Sequence, residues 1–271
     1  MSAALTLYHG DQEEILPLLP SGGYDVVFLD PPYNTKLKAD IGTRTMTLPE
    51  MRRKRWSNFY ANWDDIPDYP TWCRIWLRQA KRLLAPHGSI FVCGSHHNIY
   101  DIGLALRDLE FHILHDIAWI IPNAMPHLRG RRMASSNQRV IWARRSADVA
   151  HIYNYELVKA ANDGKNWRDF WTIPNDTTTG RVYKHPSKKP VELIERCLRM
   201  TMPTATDGAV LDFFAGIGTT GVAAQNLAAQ WPTRISGTLI ERADTETSPY
   251  VRQIEQRLAI ARSPWPMARA A

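Results

Sequence analysis

The run Asp30-Pro31-Pro32-Tyr33-Asn34 sets a stiffened, acceptor-rich turn and an aromatic ring directly after the apolar segment 24–29. Two consecutive prolines fix φ and remove two N–H donors, so the turn offers carbonyls and the Asp30 carboxylate as its hydrogen-bonding groups. Such a turn suits a ligand rich in donors. An exocyclic amino group on a heteroaromatic base is one. Its lone pair is delocalised into the ring, and accepting both hydrogens, one at a carboxylate and one at a carbonyl, helps localise that pair for attack. Tyr33 supplies a flat face for stacking the base while the acceptors hold the nitrogen in line with an electrophile. A Pro-Pro pair alone more often just closes a strand. Here the turn follows the carboxyl end of a strand, where ligands sit in open α/β sheets, and that favours the chemical reading.

A second constellation is Val210-Leu211-Asp212-Phe213-Phe214-Ala215-Gly216-Ile217-Gly218-Thr219-Thr220-Gly221. An apolar strand runs into a glycine-rich turn and then a helix, which lets backbone approach a cofactor closely. The next strand ends at Glu241, an acidic residue suited to paired ribose hydroxyls. Gly216, Gly218 and Gly221 also complete the dinucleotide fingerprint, so a nicotinamide enzyme stays open on this stretch alone. The pair of constellations separates the readings. A nicotinamide enzyme has no evident use for the Asp-Pro-Pro-Tyr turn, whereas group transfer to an amine needs both an adenosyl pocket and an amine-activating turn.

The elements that must position these groups alternate short apolar runs with helical patterns, the order of a mainly parallel sheet covered on both faces. Strands are expected over residues 5–8, 24–29, 89–93, 113–120 and 139–143, then 209–213 and 235–240. Helices are expected over 71–84, from Pro190 to about 202, over 218–229 and over 250–261. Residues 35–70 read as a long polar loop insertion. Between 146 and 186 the pattern dissolves, with Tyr153, Tyr155, Trp167, Phe170 and Trp171 lying among polar residues without a stable period. That stretch reads as a target-recognition insertion dividing a catalytic half, 1–145, from a cofactor-binding half, 187–271. Trp167 and Trp171 are candidates for stacking on a ligand or for filling a local core.

The chain has 271 residues, 44% of them hydrophobic, enough for a well-buried core. Its apolar runs fall far short of the roughly 20 residues that span a bilayer, and its start lacks the features of a secretory signal, so no membrane partner and a cytoplasmic setting are expected. Cys73, Cys93 and Cys197 are scattered without metal-ligand spacing, so neither a metal nor a disulfide is expected. The net charge of +6 is compatible with a polyanionic partner. Two basic clusters, Arg52, Arg53 and Arg55 in one loop and Arg129, Arg131 and Arg132 in another, are candidates for nucleic-acid contact. Each reads equally as a solvated face. The oligomeric state is open, a homodimer included.

Taken in order, these motifs resemble the beta-class amino-methyltransferases of DNA, which methylate adenine N6 or cytosine N4 and carry the catalytic motif before the cofactor motif. Asp30 to Asn34 matches the catalytic motif, with Asp30, Pro31, Pro32 and Tyr33 as its working residues, and Phe214 to Thr220 matches the cofactor loop. Tyr8-His9-Gly10-Asp11 resembles the first strand, whose Asp contacts the cofactor adenine. His185 to Pro190 resembles the turn bordering the methionine end of the cofactor, and residues 116–123 resemble the segment shaping the target-base pocket. The resemblance implies a Rossmann-like, mostly parallel seven-stranded sheet with permuted topology and helices on both faces. It also implies S-adenosylmethionine as methyl donor, a flipped-out base and double-stranded DNA as partner. The cofactor set it implies is Asp11, Asp30, Ser187, Lys189, Asp212, Phe214, Gly216, Gly218, Thr219, Thr220 and Glu241. Aspartate at position 30 points to adenine N6, because the cytosine-N4 enzymes more often carry serine there. Methylation of cytosine N4 or of RNA, and a DNA-binding homologue that has lost catalysis, are the alternatives. The chain departs from the family at Phe213, where proline is usual, and at Gln138, where glutamate is common.

Overall fold

Strand β2, Tyr24–Leu29, is buried along both faces, and it organises the molecule. Val27 and Leu29 point into one apolar layer and Val26 and Phe28 into the other. A strand covered on both sides reads as a continuous apolar run, because side chains alternate between faces and both faces are dry. The computed structural model describes residues 3–35, 64–124, 133–176, 188–242 and 249–260.

Eight described strands form one sheet in the order β1-β8-β7-β2-β3-β5-β4-β6. They are β1 Ala4–His9, β2, β3 Leu84–Gly94, β4 His112–Ile120, β5 Asn137–Arg144, β6 Phe170–Thr172, β7 Gly208–Asp212 and β8 Ile235–Glu241. All pairings are parallel except those of β5 with β3 and with β4, so β5 alone runs against the rest. The expected count of seven is therefore corrected to eight. The added strand, β6, comes from the stretch expected to lack regular structure and pairs with Ala118–Ile120. Its three residues occupy an edge that would otherwise present unpaired N–H and C=O groups.

The α-helices among the described residues are α1 Gln12–Ile15, α2 Tyr69–Leu83, α3 Ile99–Asp108, α4 Tyr155–Ala160, α5 Val191–Thr201, α6 Thr219–Ala228 and α7 Tyr250–Leu258. On one face Ile15, Tyr69, Trp76, Leu77, Leu83, Ile102 and Leu106, from α1, α2 and α3, cover Val27, Leu29 and Leu211. On the other, Leu193, Ile194 and Leu198 of α5 and Ala223 and Leu227 of α6 cover Val26, Phe28 and Val210. Residues 146–176 join this second layer. Val158, Trp171 and Ile173 are buried in it, and the Asn154 amide donates to the carbonyls of Arg199 and Met202 at 2.9 and 2.8 Å. The Trp171 indole N–H is held by the Arg168 carbonyl at 2.9 Å. The Arg196 guanidinium lies 5.3 and 5.7 Å from the Trp167 and Trp171 rings, so these rings pack within the protein and carry a cation. Among the described residues no helix is long and apolar enough to cross a membrane.

Candidate functional site

β2 and β7 are hydrogen-bonded, parallel neighbours, so the residues that follow them emerge side by side although 182 positions separate Asp30 from Asp212. β8 lies next to β7 and β1 next to β8, which brings Glu241 and the Gly10-Asp11 turn to the same sheet edge. Because β5 is reversed, its beginning, Gln138, reaches this edge as well. The topology thus gathers both constellations into one crevice beyond the carboxyl ends of the parallel strands.

Asp30 is mostly buried and engaged on both oxygens. Its Oδ2 receives the Lys189 ammonium at 2.6 Å, and its Oδ1 receives the Tyr33 hydroxyl at 3.1 Å. The Lys189 side chain is only 3% exposed. Its ammonium also lies 5.1 Å from the centre of the Tyr33 ring and so occupies one face of that ring. The Tyr33 hydroxyl is 2.8 Å from Gln138 Oε1. Burial, and then the neighbouring Asp30 carboxylate, push the Tyr33 phenol well above its ordinary range, so it stays a neutral donor. With one proton to give, the phenol can serve Asp30 or Gln138, and the pair of acceptors makes it a two-position switch.

The glycine turn is built around Asp212 and Glu241. Asp212, 3% exposed, accepts the Phe214 N–H at 3.0 Å and the Thr220 hydroxyl. Burial raises its carboxyl to about 7, against the pull of those two hydrogen bonds and with a further push from Asp30 and Glu241. Glu241 Oε2 accepts the Gly216 N–H at 2.7 Å. Gly216 and Gly218 have φ of +54° and +73°, values that a side chain at either position would strain. Gly221 serves packing: a Cβ there would lie 2.6 Å from Leu258. Phe213, in place of the usual proline, is buried against Trp76, with ring centres 6.0 Å apart, and Phe214 packs on Trp72 and Trp76 at 5.7 and 5.6 Å. The turn therefore rests on an aromatic floor supplied by α2.

The remaining expected residues distribute as follows. Asp11 caps α1 through the Glu13 N–H at 2.9 Å and lies 3.3 Å from Arg242. The Thr219 hydroxyl accepts from Arg257 at 3.0 Å. Ser187, Arg52, Arg53, Arg55, Arg129, Arg131 and Arg132 lie outside the described residues. Trp119, within the segment expected to shape a base pocket, is 1% exposed and donates its indole N–H to the Ile173 carbonyl at 2.7 Å, which makes it core. Among the described residues no group of three or more His, Cys, Asp or Glu is arranged to hold a metal ion. Gln138 joins the site through the Tyr33 hydroxyl, a role that its standing in place of glutamate does not by itself reveal.

Carboxylates at Asp30, Asp212 and Glu241, gathered about a glycine turn, fit a ligand with a cationic end and ribose hydroxyls. Those acceptors match the sulfonium, ammonium and ribose hydroxyls of S-adenosylmethionine. A family model described as DNA methylase matches residues 24–241. The Type II methyltransferase M2.DpnII of Streptococcus pneumoniae is 34% identical over 233 residues, spanning 82% of this chain and 81% of the relative. The Type II methyltransferase M2.LlaDCHI of Lactococcus lactis subsp. cremoris is 34% identical over 228 residues, 82% of this chain and 80% of its own. Among solved structures, the cytosine-N4-specific PvuII DNA methyltransferase superposes with a TM-score of 0.68 at 19% identity, covering 95% of this chain and 87% of that one. The M1.HpyAVI–SAM complex superposes at 0.61 and 22% identity, covering 94% of this chain and all of that one. At these identities the superpositions speak for the fold.

Proposed function

Because the chain belongs to the DNA methylase family, whose members use S-adenosylmethionine, we propose that it methylates the N6 amino group of adenine in double-stranded DNA. The observation that carries this reading is the Asp30 turn opening beside the Gly216 turn at one sheet edge. When bound, S-adenosylmethionine supplies a methyl group activated by its sulfonium. The chain's own residues present and prepare the nucleophile.

In this reading Asp30 Oδ1 and the Pro31 carbonyl accept the two hydrogens of the amine. Among the described residues none donates a hydrogen bond to the Pro31 carbonyl, whereas that of Pro32 is held by the Tyr69 hydroxyl at 2.6 Å. Lys189 keeps Oδ2, and so fixes which oxygen faces the amine. As the amine takes Oδ1, the Tyr33 hydroxyl turns to Gln138. The base stacks on the Tyr33 face opposite Lys189. After transfer the nitrogen must shed a proton, and Asp30 is the adjacent acceptor. No covalent enzyme intermediate is required, and most of the acceleration comes from alignment, an effect worth about 7–11 kcal/mol.

Adenine is favoured over cytosine by the aspartate at position 30. Enzymatic digestion of methylated DNA to nucleosides, followed by mass spectrometry, tests this: N6-methyladenine is expected. N4-methylcytosine would reverse the base assignment while leaving the amine chemistry in place.

A further inference from the structure

The Asp30–Asn34 turn is held from outside by residues that no motif marks. Asp64, 2% exposed, accepts the Asn34 N–H at 2.7 Å on Oδ1 and the Thr35 N–H at 3.0 Å on Oδ2, and the Thr35 hydroxyl also donates to Oδ2. The clasp is reciprocal, because Asn34 Oδ1 accepts the Ile66 N–H at 3.0 Å. Asn34 has φ +52°, a left-handed conformation that L residues adopt only when something holds them there, asparagine more readily than most. One step further on, Tyr69 grips the Pro32 carbonyl, and the Asn98 amide donates to the Tyr69 oxygen at 3.1 Å. Among the described residues the partners of Asp64 are neutral donors, and charge-assisted bonds to all three offset the burial of its carboxylate.

We propose that Asp64 is a positioning residue for methyl transfer. It locks the far end of the turn in the left-handed conformation that aims the Tyr33 ring and the Pro31 carbonyl at the target amine, without touching the substrate. The role rests on the assignment of Asp30–Tyr33 as the amine-activating turn. Released from Asp64, Asn34 relaxes toward negative φ and carries Tyr33, its immediate neighbour, with it. A displacement of about 1 Å in an aligned group costs on the order of 100-fold in rate.

Asp64→Asn preserves shape but turns an amide N–H₂ toward the Thr35 donors. Single-turnover methylation at saturating DNA and S-adenosylmethionine should fall by about 10- to 100-fold. Affinity for S-adenosylmethionine, measured by calorimetry, should stay within about 3-fold, and hydrogen exchange at the Asn34 and Thr35 amides should accelerate. A milder pair guards against misfolding: Thr35→Val should lose about 3-fold in the same rate, and Thr35→Ser should restore it. A wild-type rate in Asp64→Asn overturns the proposal, as does a rate loss matched by an equal loss of cofactor affinity. If Asp64→Asn is insoluble, equal rates in Thr35→Val and the wild type overturn it. Asp30→Ala, run in parallel, separates the two levels. Full turnover there would sink the catalytic assignment itself, whereas an inactive Asp30→Ala beside a fully active Asp64→Asn would sink only the positioning role.

Discussion

Asp212→Asn should make the unbound protein more stable at alkaline pH, although it replaces a residue at the heart of the glycine turn. The asparagine keeps both contacts, its Oδ1 accepting the Phe214 N–H and its Nδ2 donating to the Thr220 oxygen, so the substitution removes little but the charge. Burial raises the Asp212 carboxyl from 3.8 to about 7. The folded protein therefore binds this proton more tightly than the unfolded chain does. The associated stability is fully present below pH 3.8 and is lost as pH rises through about 7. Raising the carboxyl that far corresponds to roughly 4 kcal/mol, of which roughly 1 kcal/mol is lost between pH 6 and 8. Urea unfolding of both proteins at pH 6, 7 and 8 measures it. The stability of the wild type relative to Asp212→Asn should fall by that amount across the series. A difference independent of pH would show that the carboxylate is not strained by burial, and would refute its place in a crevice shaped for a cation.

Asp30→Ala should retain S-adenosylmethionine binding by calorimetry and lose methyl transfer by at least about 100-fold, since it removes an aligned acceptor of the amine. Tyr33→Phe should keep transfer within about 3-fold, because the ring face does the stacking. Tyr33→Ala should lose about 5- to 150-fold, the equivalent of about 1–3 kcal/mol of base stacking, in the same single-turnover assay. Phe213→Ala should destabilise the protein by about 3–5 kcal/mol in urea unfolding, because it opens a cavity beneath the glycine turn beside Trp76 and Phe214.

Much of the architecture was legible because its signals are local. The apolar run 24–29 is a strand buried on both faces, and the apolar spacing of α2, α5 and α7 marked helices whose observed bounds differ from expectation by a few residues. β6 and α4 were not legible. Three strand residues carry no period, and the order around them comes from contacts such as those of the Asn154 amide with the end of α5, which no pattern within 146–176 encodes. The site divides in the same way. The Asp30 turn and the Gly216 turn could be found from their own residues, and parallel pairing of β2 with β7 explains why they meet. Lys189 was expected near the cofactor, yet its ammonium also holds Asp30, 159 positions away. Asp64 and Tyr69 act on the backbone of the turn through side-chain bonds, and Asn98 steadies the Tyr69 hydroxyl; such bonds leave no spacing to read.

In the proposed reaction one crevice presents the amine-activating turn to the sulfonium methyl. The decisive measurement is a crystal structure with S-adenosylmethionine bound. The adenosyl group should lie on the Gly216 turn, with the methyl directed toward Asp30 Oδ1 and the Tyr33 ring. A cofactor bound with its methyl directed away from Asp30, toward solvent or the opposite end of the strands, would contradict it.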